Sequence, residues 1–357
     1  MLKVSEFNLE GNPVDVNSKL HDMSRIADLL ELPCIIIPTS SLWQFLRRPK
    51  AQSILTGLLS RYPKKNIYIE CGFESQFGEV ENEIFNSIST DPRLRIISGG
   101  ADQSNIVNSS KIVRVELFER VSINSFLPGT QLKTEKEALV RIDNRIYTGI
   151  CLNKRTVIHR LAFVEHLLSV NNGRNLISCP DTFWDFTEQF GESRGEFYLR
   201  DLDEKLDLSR SRWKYNGIGS RKFYNKLPLS IDVRKHTSAN PPITKEYQNV
   251  IFDYVTETQF NSKITFVTEK SYRPMAKLVF PIFLGTPGTV SLLRKQGYRF
   301  DALDHSYDKI SDHRERFIEV TKLVDWTQSL SREEAQGFYR DNVLELVHNY
   351  NIMAGKK

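Results

Sequence analysis

Phe266-Val267-Thr268-Glu269-Lys270-Ser271-Tyr272-Arg273-Pro274 sets a hydroxyl, a carboxylate and two cations just after a short apolar pair. Thr268 is placed to cap a helix, its hydroxyl accepting from a free amide of the first turn. A helix start is an anion site, because its unpaired N–H groups and its dipole both favour negative charge. Lys270 adds a compact positive charge for phosphate. Arg273 would complete the charge match, although Pro274 behind it restricts its backbone. Glu269 can accept two ribose hydroxyls. Together these groups could hold a nucleoside diphosphate. Thr-Glu-Lys alone is also an ordinary helix start, with Glu269 favoured there by the dipole.

Context separates the two readings. Upstream, Ile251-Phe252-Asp253-Tyr254-Val255-Thr256-Glu257-Thr258 is a β-rich run ending in a polar triplet, which adds Glu257 to the candidate ligand contacts. Downstream, Phe280-Pro281-Ile282-Phe283-Leu284 leads into Gly285-Thr286-Pro287-Gly288. Gly285 and Gly288 would let a ligand approach the backbone closely. A third segment, Cys151-Leu152-Asn153-Lys154-Arg155-Thr156-Val157-Ile158-His159-Arg160, is a strand end, a basic loop and a helix start. Arg155 or Arg160 would face a diphosphate and stabilise charge developing on a leaving group. His159 reads more readily as a structural histidine.

These segments need elements to hold them. Short apolar runs alternate with helical patterns from the N-terminal region onward. Strands are predicted at 33–37, 66–71, 94–98 and 111–118, with helices at 41–59 and 79–88. Residues 119–145 lack periodicity and are assigned to a crossover. The rhythm restarts with strands at 145–152 and 176–178 around a helix at 156–168. Then come a strand at 250–256, a helix at 268–277, a strand at 280–284, a helix at 288–295 and a polar helical tail. The expected class is α/β, with two Rossmann-like doubly wound domains facing a cleft. Residues 1–145 form the first, 146–325 the second, ligand-binding one, and 326–357 a helical tail packing back on them.

Composition sets bounds. The chain has 357 residues, 40% hydrophobic and 26% charged, which is ordinary for a globular protein and suits two domains. No apolar run has membrane-spanning length, and the start Met1-Leu2-Lys3-Val4-Ser5-Glu6 lacks a signal-peptide core. The expectation is a cytoplasmic chain. Cys34, Cys71, Cys151 and Cys179 form no CxxC pair and are read as free thiols. Asp201-Leu202-Asp203 lies in an acidic, Leu-rich stretch and is read as a solvated helix, so no metal and no cofactor is expected. No P-loop pattern occurs, and no GxGxxG follows a strand. Net charge is only +5. It is uneven, however: Arg210, Arg212, Lys214, Arg221 and Lys222 cluster with Trp213, Tyr215, Phe223 and Tyr224. Such a segment suits an anionic partner, with cations tracking phosphates and rings stacking on bases.

Thr268-Glu269-Lys270-Ser271-Tyr272-Arg273 followed by Phe280-Pro281-Ile282-Phe283-Leu284-Gly285 resembles the donor motif of α1,3-fucosyltransferases. Thr286-Pro287-Gly288-Thr289 and Asp304-His305-Ser306-Tyr307-Asp308 are similar to segments of uncharacterised bacteriophage proteins with the same order of motifs. The resemblance spans about a third of the chain. It implies a GT-B glycosyltransferase in which Thr268, Glu269 and Lys270 contact the ribose and diphosphate of a UDP- or GDP-linked sugar. It also implies that Arg155, Arg160, Glu257, Arg273 and Gly285 line the donor site. An inverting enzyme of that kind needs a carboxylate base for the acceptor hydroxyl. Strand-end logic nominates Glu70, Glu74 and Asp102. The acceptor could be a hydroxymethylated base of phage DNA, contacted by Arg210, Arg212, Trp213, Lys214, Arg221 and Lys222. A glycan acceptor and a non-catalytic nucleic-acid or virion-binding role are the alternatives.

Overall fold

The computed structural model describes residues 6–7, 13–14, 34–38, 51–70, 91–98, 112–114, 127, 131–140, 142–153, 158–170, 173–178, 244–260 and 265–355. The chain divides into two compact units, Met1–Phe118 with Ser262–Phe266, and Glu119–Asn261 with Val267–Lys357. Both are α/β, each with a four-stranded parallel sheet.

In the first unit, β1 (Glu6–Phe7) and β2 (Pro13–Val14) form an antiparallel pair. β3 (Cys34–Pro38), β4 (Asn66–Glu70), β5 (Leu94–Ser98) and β6 (Ile112–Arg114) form the parallel sheet in that spatial order. Helix α1 (Ala51–Arg61) carries Leu55, Leu58 and Leu59 on one buried stripe, at the spacing expected of an amphipathic helix. Arg93 ties its end to the turn before β5, donating to the carbonyls of Leu59 and Tyr62 while gripping Asp91 at 2.6 and 3.0 Å. The strand order never reverses among the described strands. Among these strands the doubly wound plan expected here is therefore not seen. The helix expected at 41–59 is seen only from Ala51, and the one expected at 79–88 lies outside the described residues.

The second unit opens with α2 (Glu135–Leu139) and a 3-10 turn, Ile142–Asn144. Then come β7 (Tyr147–Leu152), α3 (Ile158–Ser169), β8 (Asn175–Ser178), α4 (Thr244–Tyr247) and β9 (Val250–Thr256). It closes with α5 (Glu269–Ala276), β10 (Phe280–Leu284), α6 (Thr289–Lys295), a 3-10 turn Ser306–Lys309, α7 (His313–Ser329) and α8 (Arg332–Gly355). The spatial order is β10-β9-β7-β8, all parallel. From β7 the chain steps out to β8, then returns to the far side of β7 to lay down β9 and β10. That reversal puts a switch point between β7 and β9, where open α/β sheets bind ligands at their carboxyl ends.

Every residue of β9 and β10 is buried, as expected of parallel strands covered on both faces. Alternate residues serve opposite faces. Asp253 meets Arg273 of α5 on one face, while Tyr254 meets Phe163 of α3 and Thr327 of α7 on the other. Phe280 packs against Phe338 and Tyr339 of α8.

Two expected boundaries differ from the observed division. The compact units part at 118/119 rather than at 145/146, because the 135–145 stretch belongs to the second core. Ala138 and Ile142 share a buried cluster with Tyr339 and Leu346, and Gln336 donates to the carbonyls of Ile142 and Arg145. The Arg145 guanidinium bonds Tyr247 O, Val250 O, Leu278 O and the Tyr339 hydroxyl. Helix α7 runs straight through the 325/326 boundary, and α8, the helix of the expected tail, packs back as part of the second core.

Candidate functional site

The chemistry-bearing residues meet where β9 ends. Thr256 donates to Asn153 Oδ1 at 2.6 Å, bridging the carboxyl ends of β9 and β7 across the switch point. Glu257 extends the sheet by one bond, its amide donating to Leu284 O at 2.9 Å. Its side chain is fully buried. Oε1 accepts from the Thr268 amide at 3.0 Å and the Ser271 hydroxyl at 2.6 Å. Oε2 accepts from the Thr268 hydroxyl at 2.7 Å and the Thr258 amide at 3.1 Å. The Glu257 carbonyl accepts from His159 Nε2 at 2.9 Å and from Arg160 Nε and Nη2 at 3.3 and 3.1 Å.

Thr268 caps α5 as expected, accepting from the Lys270 amide at 3.4 Å. Lys270 Nζ folds back over the cap, 3.3 Å from Thr268 Oγ1, 3.4 Å from Thr258 Oγ1 and 2.8 Å from Glu269 Oε1. This ion pair is part-exposed, with 21% and 15% of the two side chains open. Burial works against the Glu269 charge, yet Lys270, helped by the residue's own amide and by Arg273, holds the carboxyl below its ordinary value.

The expected anion position in front of α5 is held by the protein itself, through the Glu257 carboxylate. The same holds at α6. Asp308 accepts from the amides of Val290 and Ser291 at 2.8 and 2.9 Å and from the Ser291 hydroxyl at 2.8 Å. Gly285 is small for a related reason. A Cβ there would stand 2.9 Å from Thr289 Oγ1 and 3.5 Å from Glu257 Cβ, so the space expected for a ligand holds side chains.

Arg273 points its hydrogen bond away from this edge, although its charge still helps to hold the Glu269 carboxylate. It lies in the last turn of α5, donating to buried Asp253 at 3.4 Å and stacking over Tyr247 at 5.4 Å. Arg160 is buried beneath the edge, Glu257 is inside it, and Glu269 and Lys270 remain at its surface. Glu70 is the last residue of β4. Glu74, Asp102, Arg155, Arg210, Arg212, Trp213, Lys214, Arg221 and Lys222 lie outside the described residues. Among the described residues no cluster of three or more His, Cys, Asp or Glu could hold a metal, and no helix is long and apolar enough to cross a membrane.

Arg316 was not anticipated. Its guanidinium is buried and donates to Gly285 O at 3.1 Å, Ile310 O at 2.6 Å, Ser311 O at 3.2 Å and Phe260 O, while lying 4.7 Å over the Phe260 ring. It fastens the loop after β9 to the end of β10. Phe260 in turn stacks on His159 at 5.4 Å.

Burial, and then the charge of Arg160, pushes His159 down to about 3. Burial, and then Arg294, does the same to His305, also to about 3. Both imidazoles are neutral in the folded chain near neutral pH, whereas an unfolded histidine takes up its proton near pH ~6.5. Between those values the unfolded state binds more protons. Stability should therefore fall as pH drops through this window, by up to about 1.4 kcal/mol per pH unit for each histidine. Urea unfolding at successive pH values measures the slope, which should shrink in a His159→Gln/His305→Gln variant. An unchanged slope in that variant would reject the assignment.

No protein-family model, no curated protein and no solved structure matches the chain.

Proposed function

We propose that the chain is a nucleotide-sugar-dependent glycosyltransferase of GT-B type, with the donor held at the carboxyl edge of the second sheet. The observation that carries this reading is the Glu269–Lys270 pair. It is a part-exposed carboxylate and ammonium at a helix start, beside the strand that flanks the switch point. Glu269 suits ribose hydroxyls and Lys270 suits the diphosphate. The motif order shared with α1,3-fucosyltransferases supports the same assignment. The acceptor is proposed to be a hydroxymethylated base of DNA, because cations and rings alternate between Arg210 and Tyr224.

A thermal-shift screen against UDP, GDP, CMP and their sugars tests the donor side. One nucleoside diphosphate should stabilise the chain, by about 2.7 kcal/mol at a hundred times its Kd. Lys270→Ala should abolish most of that shift. Stabilisation by no nucleotide would favour a non-catalytic binding protein, and an intact shift in Lys270→Ala would move the site elsewhere. DNA retention that falls steeply with salt tests the acceptor side.

A further inference from the structure

We infer that Glu257 is a positioning residue: it supplies an internal anion to the start of α5, so that a ligand's phosphate is met by the Lys270 ammonium and not by helix amides. The inference rests on the nucleotide reading for its phosphate, and on geometry alone for the internal anion. Among the described residues each donor to the carboxylate is a neutral N–H or O–H: Thr258 N, Thr268 N, Thr268 Oγ1 and Ser271 Oγ. A fully buried carboxylate served this way draws its stabilisation from converging dipoles, chiefly the start of α5. The dependence is mutual. Helix α5 has only eight residues and is too short to hold its own start in place.

The consequence for Lys270 follows from two hydroxyls. Its ammonium sits near Thr258 Oγ1 and Thr268 Oγ1. Both residues are anchored by Glu257, Thr258 through its amide and Thr268 through its amide and hydroxyl. Take away the carboxylate and both hydroxyl supports of the ammonium are released, together with the cap of α5, leaving the ammonium its bond to Glu269 alone to fix its position. Glu257 thus acts through Lys270 while touching no ligand.

Chemical rescue in the full chain tests this. Glu257→Ala should lower the unfolding midpoint by on the order of 5 °C. Formate, at ionic strength held constant with chloride, should restore at least half of that loss by filling the vacated anion position. Wild type should not respond, nor should Phe163→Ala, a core cavity without this set of donors. If Glu257→Ala folds only when refolded in formate, that also supports the claim. Glu257→Gln turns an amide NH2 towards some of the same donors; it should lose stability and ignore formate. Wild-type stability in Glu257→Gln, or equal formate responses in wild type and Glu257→Ala, would overturn the internal anion. For the positioning role, the nucleotide-induced shift should vanish in Glu257→Ala and return with formate. Nucleotide binding unchanged in Glu257→Ala would overturn that role. Formate rescue with no nucleotide shift in wild type would instead reject the nucleotide reading and leave the internal anion standing.

Discussion

Arg273→Met should destabilise the second unit by about 3–5 kcal/mol, because it leaves a carboxylate buried without its cation. Asp253 lies in the middle of β9, fully buried, pairing in register with Ile150 and Pro281. Its Oδ2 accepts from the Tyr247 hydroxyl at 2.6 Å and from Arg273 at 3.4 Å, while Oδ1 has no partner among the described residues. Burial pushes the Asp253 carboxyl above its ordinary value, and Arg273 is the main influence drawing it back down. Without the arginine, burial is opposed only by one tyrosine hydroxyl. The pair itself is a different matter, since a buried ion pair replaced whole by apolar groups is often close to neutral. Asp253→Leu/Arg273→Met should accordingly recover much of the loss. Urea unfolding of the two single variants and the double one measures the coupling. A double variant as damaged as the sum of the singles would refute the account. So would an Arg273→Met variant of full stability that no longer binds nucleotide, because Arg273 would then be a ligand group.

That case also marks where the sequence ceases to be legible. Arg273 reads as part of the anion-binding set because it follows Lys270 so closely. Three residues of helix carry it about 4.5 Å along the axis, however, away from the edge and over the middle of the sheet. There Asp253 was hidden inside an otherwise apolar strand. The strands themselves were legible for a simple reason: runs such as Val250–Thr256 and Phe280–Leu284 are buried on both faces, so their ends show in composition. Thr268 was legible as a cap because capping is local. The role of Glu257 was not, since its partner Thr268 lies eleven residues on and a helix start can take a ligand or a side chain equally well. Arg316 stands in His313-Arg314-Glu315-Arg316, where only burial distinguishes it from its charged neighbours. Helix α2 was missed despite a signal that could have found it. Thr134 and Glu137 form a reciprocal capping box, a local pattern readable in Thr134-Glu135-Lys136-Glu137.

Gly149→Ala should cost roughly 3–5 kcal/mol, through overpacking together with the buried hydrogen bonds it would break. Gly149 lies in β7 opposite Phe252, and the Tyr254 ring crosses directly over it. A Cβ at Gly149 would stand 2.1 Å from Tyr254 Cε2 and 2.5 Å from Cζ, so the ring must move. It has nowhere easy to go. Tyr254 is fully buried, its ring is edge-on to Phe163, and its hydroxyl is fixed by Thr327 at 2.8 Å and Gln328 at 2.5 Å. The cost should therefore be specific to the tyrosine. In a Tyr254→Leu background, adding Gly149→Ala should cost under about 1 kcal/mol, although Tyr254→Leu is itself destabilising. A full cost in that background would place the obstruction elsewhere. The pair matters beyond stability because β7 and β9 flank the switch point. Moving Tyr254 would shift β9 against β7 two residues before Thr256, whose bond to Asn153 joins the strand ends beneath Glu257. A nucleotide-induced shift that survives in Gly149→Ala at temperatures where the chain remains folded would show that the edge tolerates this displacement. Its loss there would tie the edge to the packing of Tyr254 on Gly149.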